Sequence, residues 1–136
     1  MEKITVKTAI KAPVEKVWDK INNPADIERW NHASEDWHCL NASNDLRVGG
    51  ILKSTMAAKN GSFSFDFEGT YDEIIPYQLI RYHLGDGREV EIKLEVYENN
   101  VMVTEIFDAE QQNSADMQRQ GWQAILDSFK NYVEGN

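Results

Sequence analysis

The 136 residues include one cysteine, three prolines, three histidines and no long apolar run. Each scarcity excludes something. With Cys39 alone, neither an internal disulfide nor a multi-cysteine zinc site can form, and a lone buried thiol behaves as a small hydrophobe. Without roughly 20 consecutive apolar residues there is no helical membrane span. The opening Met-Glu-Lys-Ile-Thr-Val-Lys alternates charge with β-branched residues instead of building a signal peptide. A cytoplasmic location is the expectation. Positive charge is scarce too, since 14 Lys and Arg face 23 Asp and Glu, for a net charge of −9. Nucleic acids and anionic membranes bind mainly through clustered basic side chains, and the lysines here are scattered, so neither partner is expected.

What remains is one globular domain spanning 1–136, with 41% hydrophobic residues and no linker or repeat. Ile4, Val6, Thr8 and Ile10 alternate with polar neighbours and predict a strand that Ala12-Pro13 ends. Pro13 suits a first helical position, and Val14, Val17, Trp18 and Ile21 recur at helical spacing as far as Asn22-Asn23. A second short helix opens at Pro24, with Asn23 as its cap and Ile27 and Trp30 on its apolar side.

From about Trp37 the pattern is strands and tight turns. Asn60-Gly61, Asp86-Gly87, Asn99-Asn100 and Ile75-Pro76-Tyr77 supply four reversals. They predict an antiparallel meander with strands near 51–59, 62–75, 78–84, 88–98 and 101–109, while a strand near 36–41 and the first strand bring the number to about seven. The segment from Asn113 to Val133 predicts a long helix capped by Asn113 or Ser114, with Trp122, Ile125, Leu126, Phe129 and Val133 as its apolar stripe. Gly121 inside that helix costs about 1 kcal/mol relative to alanine, which suggests a close approach there to strand backbone or to something bound.

Phe63, Phe65, Phe67, Gly69 and Tyr71 share one strand face, and Ser64, Asp66, Glu68, Thr70 and Asp72 share the other. One helix about 10 Å across covers only two or three strands spaced about 4.8 Å apart, so the sheet must curl and leave apolar wall uncovered. A pocket is expected between sheet and helix. The alternative is that Met56, the phenylalanines and Trp122 fill it, because interiors are close-packed. "WNHASEDWH", Trp30 to His38, then reads as a lid, with Trp30 and Trp37 flanking the mouth and His38 near a polar ligand atom. His32, Glu35, Asp36 and His38 have ligand chemistry for a divalent metal but match no metal-binding spacing. No nucleophile stands beside a base. Asp66 and Glu68 fall on the wet face, and "GDG" at 85–87 and "RVGG" at 47–50 lack the following helix and lysine of a phosphate loop.

Four stretches together, "IKAPVEKVWDKINNPADIERW", "NDLRVGG", "FEGTYDEIIP" and "GWQAILDSFKNYVE", resemble the SRPBCC or START-like superfamily. Within it they are similar to the group named for the carboxy-terminal domain of the activator of heat-shock protein 90 ATPase. The resemblance implies an α+β helix-grip fold, a seven-stranded antiparallel sheet around a carboxy-terminal helix with two short helices after strand 1. It also implies a space for small apolar molecules, with a minority of members being enzymes. With a single domain expected, no counterpart is expected of the separate amino-terminal domain with which the eukaryotic activators bind the chaperone.

The expected function is therefore non-catalytic binding of a small apolar or amphipathic molecule by a monomer that needs no cofactor or metal. The expected ligand-binding residues are Trp30, Trp37, His38, Met56, Phe63, Phe65, Phe67, Tyr71, Tyr82, Gly121, Trp122 and Ile125. A chaperone accessory and a small cyclase or hydrolase are the second and third readings.

Overall fold

In the computed structural model, which describes residues 2–135, strand β1 (Lys3–Ile10) buries Ile4, Val6 and Ile10 to 2% exposure or less. Its period-two pattern gives it one dry face. Pro13 stands just ahead of helix α1 (Val14–Asn22) as its extended N-cap rather than inside it. α1 buries Val17 and Ile21 on one side, the positions that helical spacing had marked. Helix α2 (Pro24–Trp30) starts where Asn23 accepts a hydrogen bond from the Ala25 amide at 3.0 Å.

The meander follows as β2 (Trp37–Asn44), β3 (Ile51–Ala58), β4 (Ser64–Ile75), β5 (Leu79–Leu84), β6 (Glu89–Tyr97) and β7 (Asn100–Asp108). All neighbours pair antiparallel, in the order β1-β7-β6-β5-β4-β3-β2. β1 and β2 thus form opposite edges, and α1 and α2 carry the chain from one to the other. Gly61 and Gly87 adopt positive φ at their turns, as the Asn-Gly and Asp-Gly pairs require. The last hairpin differs from expectation by one residue. Tyr97 pairs with Asn100, so the turn is Glu98-Asn99 and the positive φ of 53° falls on Glu98.

The seven-stranded sheet curls into a half-barrel. Register shifts between Leu40 and Ser43 and between Tyr71 and Glu73 mark where it bends, because an extra residue in one strand increases local twist. Gly69 serves the same curvature. A Cβ there would lie 2.5 Å from the Tyr82 ring, so glycine lets that ring lie against the β4 backbone.

Helix α3 (Ala115–Glu134) lies in the curl, capped by Ser114, whose hydroxyl accepts from the Met117 amide at 3.1 Å. It leans toward the β1 edge. Gln123 and Lys130 donate to the β1 carbonyls of Lys7 and Ala9 at 3.2 and 2.6 Å, and Glu134 accepts from the Lys11 amide at 2.9 Å. Leu126, Phe129 and Val133 bury against Ile4, Ile10, Val17 and Phe107 to form the core at this side. α2 covers β2, and Ser128 of α3 donates to the Trp30 carbonyl at 2.8 Å to join the two helices.

The convex face carries a layer of charged side chains. Arg81 lies 3.2, 3.8 and 3.7 Å from Glu73, Glu89 and Glu91, and His83 meets Asp72 at 2.9 Å. Asp66 and Glu68 are exposed, and Asp66 accepts from Thr55 at 2.8 Å. Such exposed pairs contribute little each.

Candidate ligand cavity

Because α3 leans on β1 and α2 on β2, the middle strands face a space that neither helix fills. It is a cavity of about 410 Å³. Met56 of β3, Phe65, Phe67 and Tyr71 of β4, and Tyr82 of β5 line it, facing Trp122 and Ile125 of α3 and Trp30 of α2. Ile27, Leu52, Ile80 and Ile92 complete much of the apolar wall.

Polar groups on this wall are mostly satisfied by the protein itself. The Tyr71 hydroxyl donates to Asn44 at 2.5 Å, and the Asn44 amide donates to the Asn22 carbonyl at 2.8 Å, pinning β2 to the end of α1. Burial pushes the Tyr71 phenol up to about 12, partly offset by Asn44. Asn31 reaches the Cys39 and Met56 sulfurs at 3.7 and 3.5 Å, and burial pushes the Cys39 thiol up, so it behaves as packing. At the other end Gln118 brackets the Glu110 backbone, accepting from its amide at 2.9 Å and donating to its carbonyl at 3.2 Å. Trp122 stacks on Phe107 at 3.9 Å between centroids, and Trp30 sets its edge on Phe129 at 4.9 Å while its indole donates to the Lys20 carbonyl at 2.9 Å. Both indoles are therefore fixed walls.

Four of the twelve expected residues lie elsewhere. Trp37 and Phe63 do not line the cavity. They cluster with Phe65 at centroid separations near 6 Å around the β3–β4 hairpin tip, where Trp37 also packs against the small cluster of Ile27, Cys39 and Met56 and Phe63 remains 59% exposed. His38 alternates with Trp37 and buried Cys39 along β2, which puts it on the opposite face. The close approach expected at Gly121 is not found. A Cβ there would meet nothing within 4 Å, and the closely approached glycine is Gly69. Among the described residues, no three His, Cys, Asp or Glu side chains converge where a metal ion could sit.

The residue that sequence reasoning missed is Glu105. It follows Val101 and Val103 and precedes Phe107 on the inner face of β7, paired in register with Val6 and Ile92, and it lines the cavity. The residue is half-buried. Burial alone raises its carboxyl from 4.5 to about 7. Among the described residues nothing hydrogen-bonds it or pairs with its charge, and the Tyr82 hydroxyl, which feels that charge, likewise makes no side-chain hydrogen bond. Burial and the Glu105 charge both hold the Tyr82 phenol well above its ordinary value.

The family described as Activator of Hsp90 ATPase homolog 1-like protein matches residues 11–134. The chain belongs to this family. As in AHSA1-like proteins of known structure, the helix and sheet extend over nearly the whole chain. An AHSA1-like protein from Aeromonas hydrophila is 42% identical, with a TM-score of 0.92 over 98% of this chain and 93% of that one. A protein from Cytophaga hutchinsonii is 48% identical, with a TM-score of 0.85 over the same shares. The Aha1 dimer from Colwellia psychrerythraea, at 20% identity and a TM-score of 0.76, covers 98% of this chain and 97% of that one and shares the fold. Among curated proteins, none matches this AHSA1-like chain.

Proposed function

We propose that this AHSA1-like domain binds a small apolar or amphipathic molecule in the cavity between sheet and α3 and releases it chemically unchanged. The open volume of about 410 Å³, walled mainly by apolar and aromatic side chains, is the observation that carries this reading. Ligand sites have this character, a concave apolar surface with a few polar groups that fix orientation. Asp66, Glu68, Arg81 and His83 are directed away from this space, which leaves Glu105 as an orienting group rather than half of an acid and base pair in the reading proposed here. Among the described residues no helix is long and apolar enough to cross a membrane. We read the domain as a cytoplasmic monomer.

Native mass spectrometry of gently purified protein is expected to show a small-molecule adduct that organic extraction removes. Protein that stays at its bare mass, even after incubation with a varied apolar library, would count against binding.

Family membership favours a second reading, a chaperone accessory. It is separable by experiment. Ligand binding as the primary role leaves the ATPase rate of an Hsp90-type chaperone nearly unchanged when the domain is added, consistent with the net charge of −9 and the scattered lysines. Saturable stimulation by several-fold would establish the accessory role.

A further inference from the structure

We infer that Glu105 selects the ligand, and that the cavity takes a lipophilic amine: an alkyl or aryl chain ending in a protonated nitrogen that pairs with the Glu105 carboxylate. The inference rests on the ligand-binding reading above and specifies its chemistry. A carboxyl group on an apolar wall is costly when nothing pairs with it, and stability alone favours an aliphatic residue such as the valines that precede it on the same face. The other polar side chains of the wall are bonded to protein. Tyr71 holds Asn44, Asn31 holds two sulfurs, Gln118 holds the Glu110 backbone, and Arg88 holds Asp86 at 2.7 Å. Glu105 and the Tyr82 hydroxyl, an acceptor and a group that can donate or accept, are left without a protein partner among the described residues on a wall rich in rings.

Three ligand classes can be ranked against that arrangement. An anionic amphiphile such as a fatty acid would meet Glu105 and Glu110 on the wall, the one lining cation among the described residues, Arg88, is already paired with Asp86 at 2.7 Å, and the net charge of −9 would oppose its approach. A neutral alcohol could hydrogen-bond Glu105 but would leave the ionised carboxylate without a countercharge. A protonated amine supplies both charge and donor, forming the stronger charge-assisted bond. Phe67, Tyr82 and Trp122 make the surrounding walls aromatic, and aromatic rings attract a cation. The long-range field of the acidic protein steers cations inward as well.

Three probes of one chain length separate these classes: decylammonium, decanol and decanoate, titrated calorimetrically at pH 8 and below their micellar concentrations. The unmodified protein is expected to bind decylammonium at least about tenfold more tightly than decanol, and decanoate most weakly. Glu105→Gln is expected to lower decylammonium affinity about tenfold while moving decanol less than about threefold. Glu105→Met, which keeps the length of the side chain without a polar end, repeats the test in an independent variant. Decanol bound as tightly as decylammonium by the unmodified protein would overturn the inference. So would an amine preference that survives in both variants, since it would then come from surface charge. In either case decanol binding would leave the cavity reading standing. If none of the three probes binds, the ligand-binding reading and this inference fail together.

Discussion

Glu105→Gln is expected to stabilise the ligand-free protein by up to about 3 kcal/mol at pH 8–9 and by almost nothing at pH 4. The sign follows from the direction of the shift. In the unfolded chain the carboxyl ionises near its ordinary value of 4.5, and in the folded protein burial raises that value to about 7. Below 4.5 both states hold the proton and the folded state loses nothing. Between 4.5 and 7 the unfolded state gives up its proton first, so stability falls as pH rises, and above 7 the full cost of the half-buried, unpaired carboxylate is reached and stays constant. Glutamine keeps the shape and carries no charge, so the difference between the two proteins isolates this one group. Urea unfolding of both at a series of pH values measures it. A difference that is flat with pH would mean that water or a protein partner already solvates the carboxylate. A bound amine should shrink the difference at high pH, because it supplies the missing countercharge.

Phe129→Ala should be the most damaging single truncation on α3, costing about 3–5 kcal/mol. Phe129 is 1% exposed, packs in the core formed by α3 and β1, and supports the edge of Trp30 at 4.9 Å. Removing it deletes buried surface and leaves a void that the pinned helix cannot collapse into, because Gln123, Lys130 and Glu134 tie α3 to β1 and its junction with α1. Ile125 provides the contrast on the same helix. It faces the cavity, so Ile125→Ala removes atoms whose neighbours on one side are already absent, and its cost should fall below the roughly 2 kcal/mol at which buried isoleucine truncations begin. Equal losses at the two positions, measured by denaturant unfolding, would mean that the cavity is closed by packing in solution.

Period and turn chemistry made the architecture readable from sequence. Ile4, Val6 and Ile10 have one strand face to themselves, Asn60-Gly61 and Asp86-Gly87 fix their hairpins, and the α3 stripe is a clean helical repeat. The curl followed from the width of one helix against seven strands, and the four stretches quoted above resembled the family that the chain proved to join.

The site was harder because lining a cavity depends on depth as well as face. Phe63 and Phe65 share the inward face with Phe67, yet Phe63 sits past the end of helical cover at the hairpin tip, and period two carries no record of where a helix stops. Trp37 instead packs between the hairpin-tip rings and the cluster of Ile27, Cys39 and Met56, a neighbourhood that alternation along β2 does not reveal. His38 was drawn toward the pocket by its neighbours in sequence, although strand alternation sets it opposite Cys39. Glu105 escaped notice because β7 has apolar residues on both faces, Val101, Val103 and Phe107 on one and Met102 and Ile106 on the other, so its inward side could not be told from pattern alone. Had β7 been aligned with Val90, Ile92 and Leu94 of β6, a glutamate opposite Ile92 would have marked the one ionisable group in an apolar row.

A methyl-resolved NMR titration with decanol tests most directly whether this cavity is open and takes an apolar guest. Saturable shifts are expected at Ile27, Leu52, Ile80 and Ile125, which line the space, with Ile10 and Val133 in the packed core and Val48 and Val96 on the surface remaining still. Shifts confined to the exposed methyls, or no saturable shifts at all, would contradict an open ligand cavity between the sheet and α3.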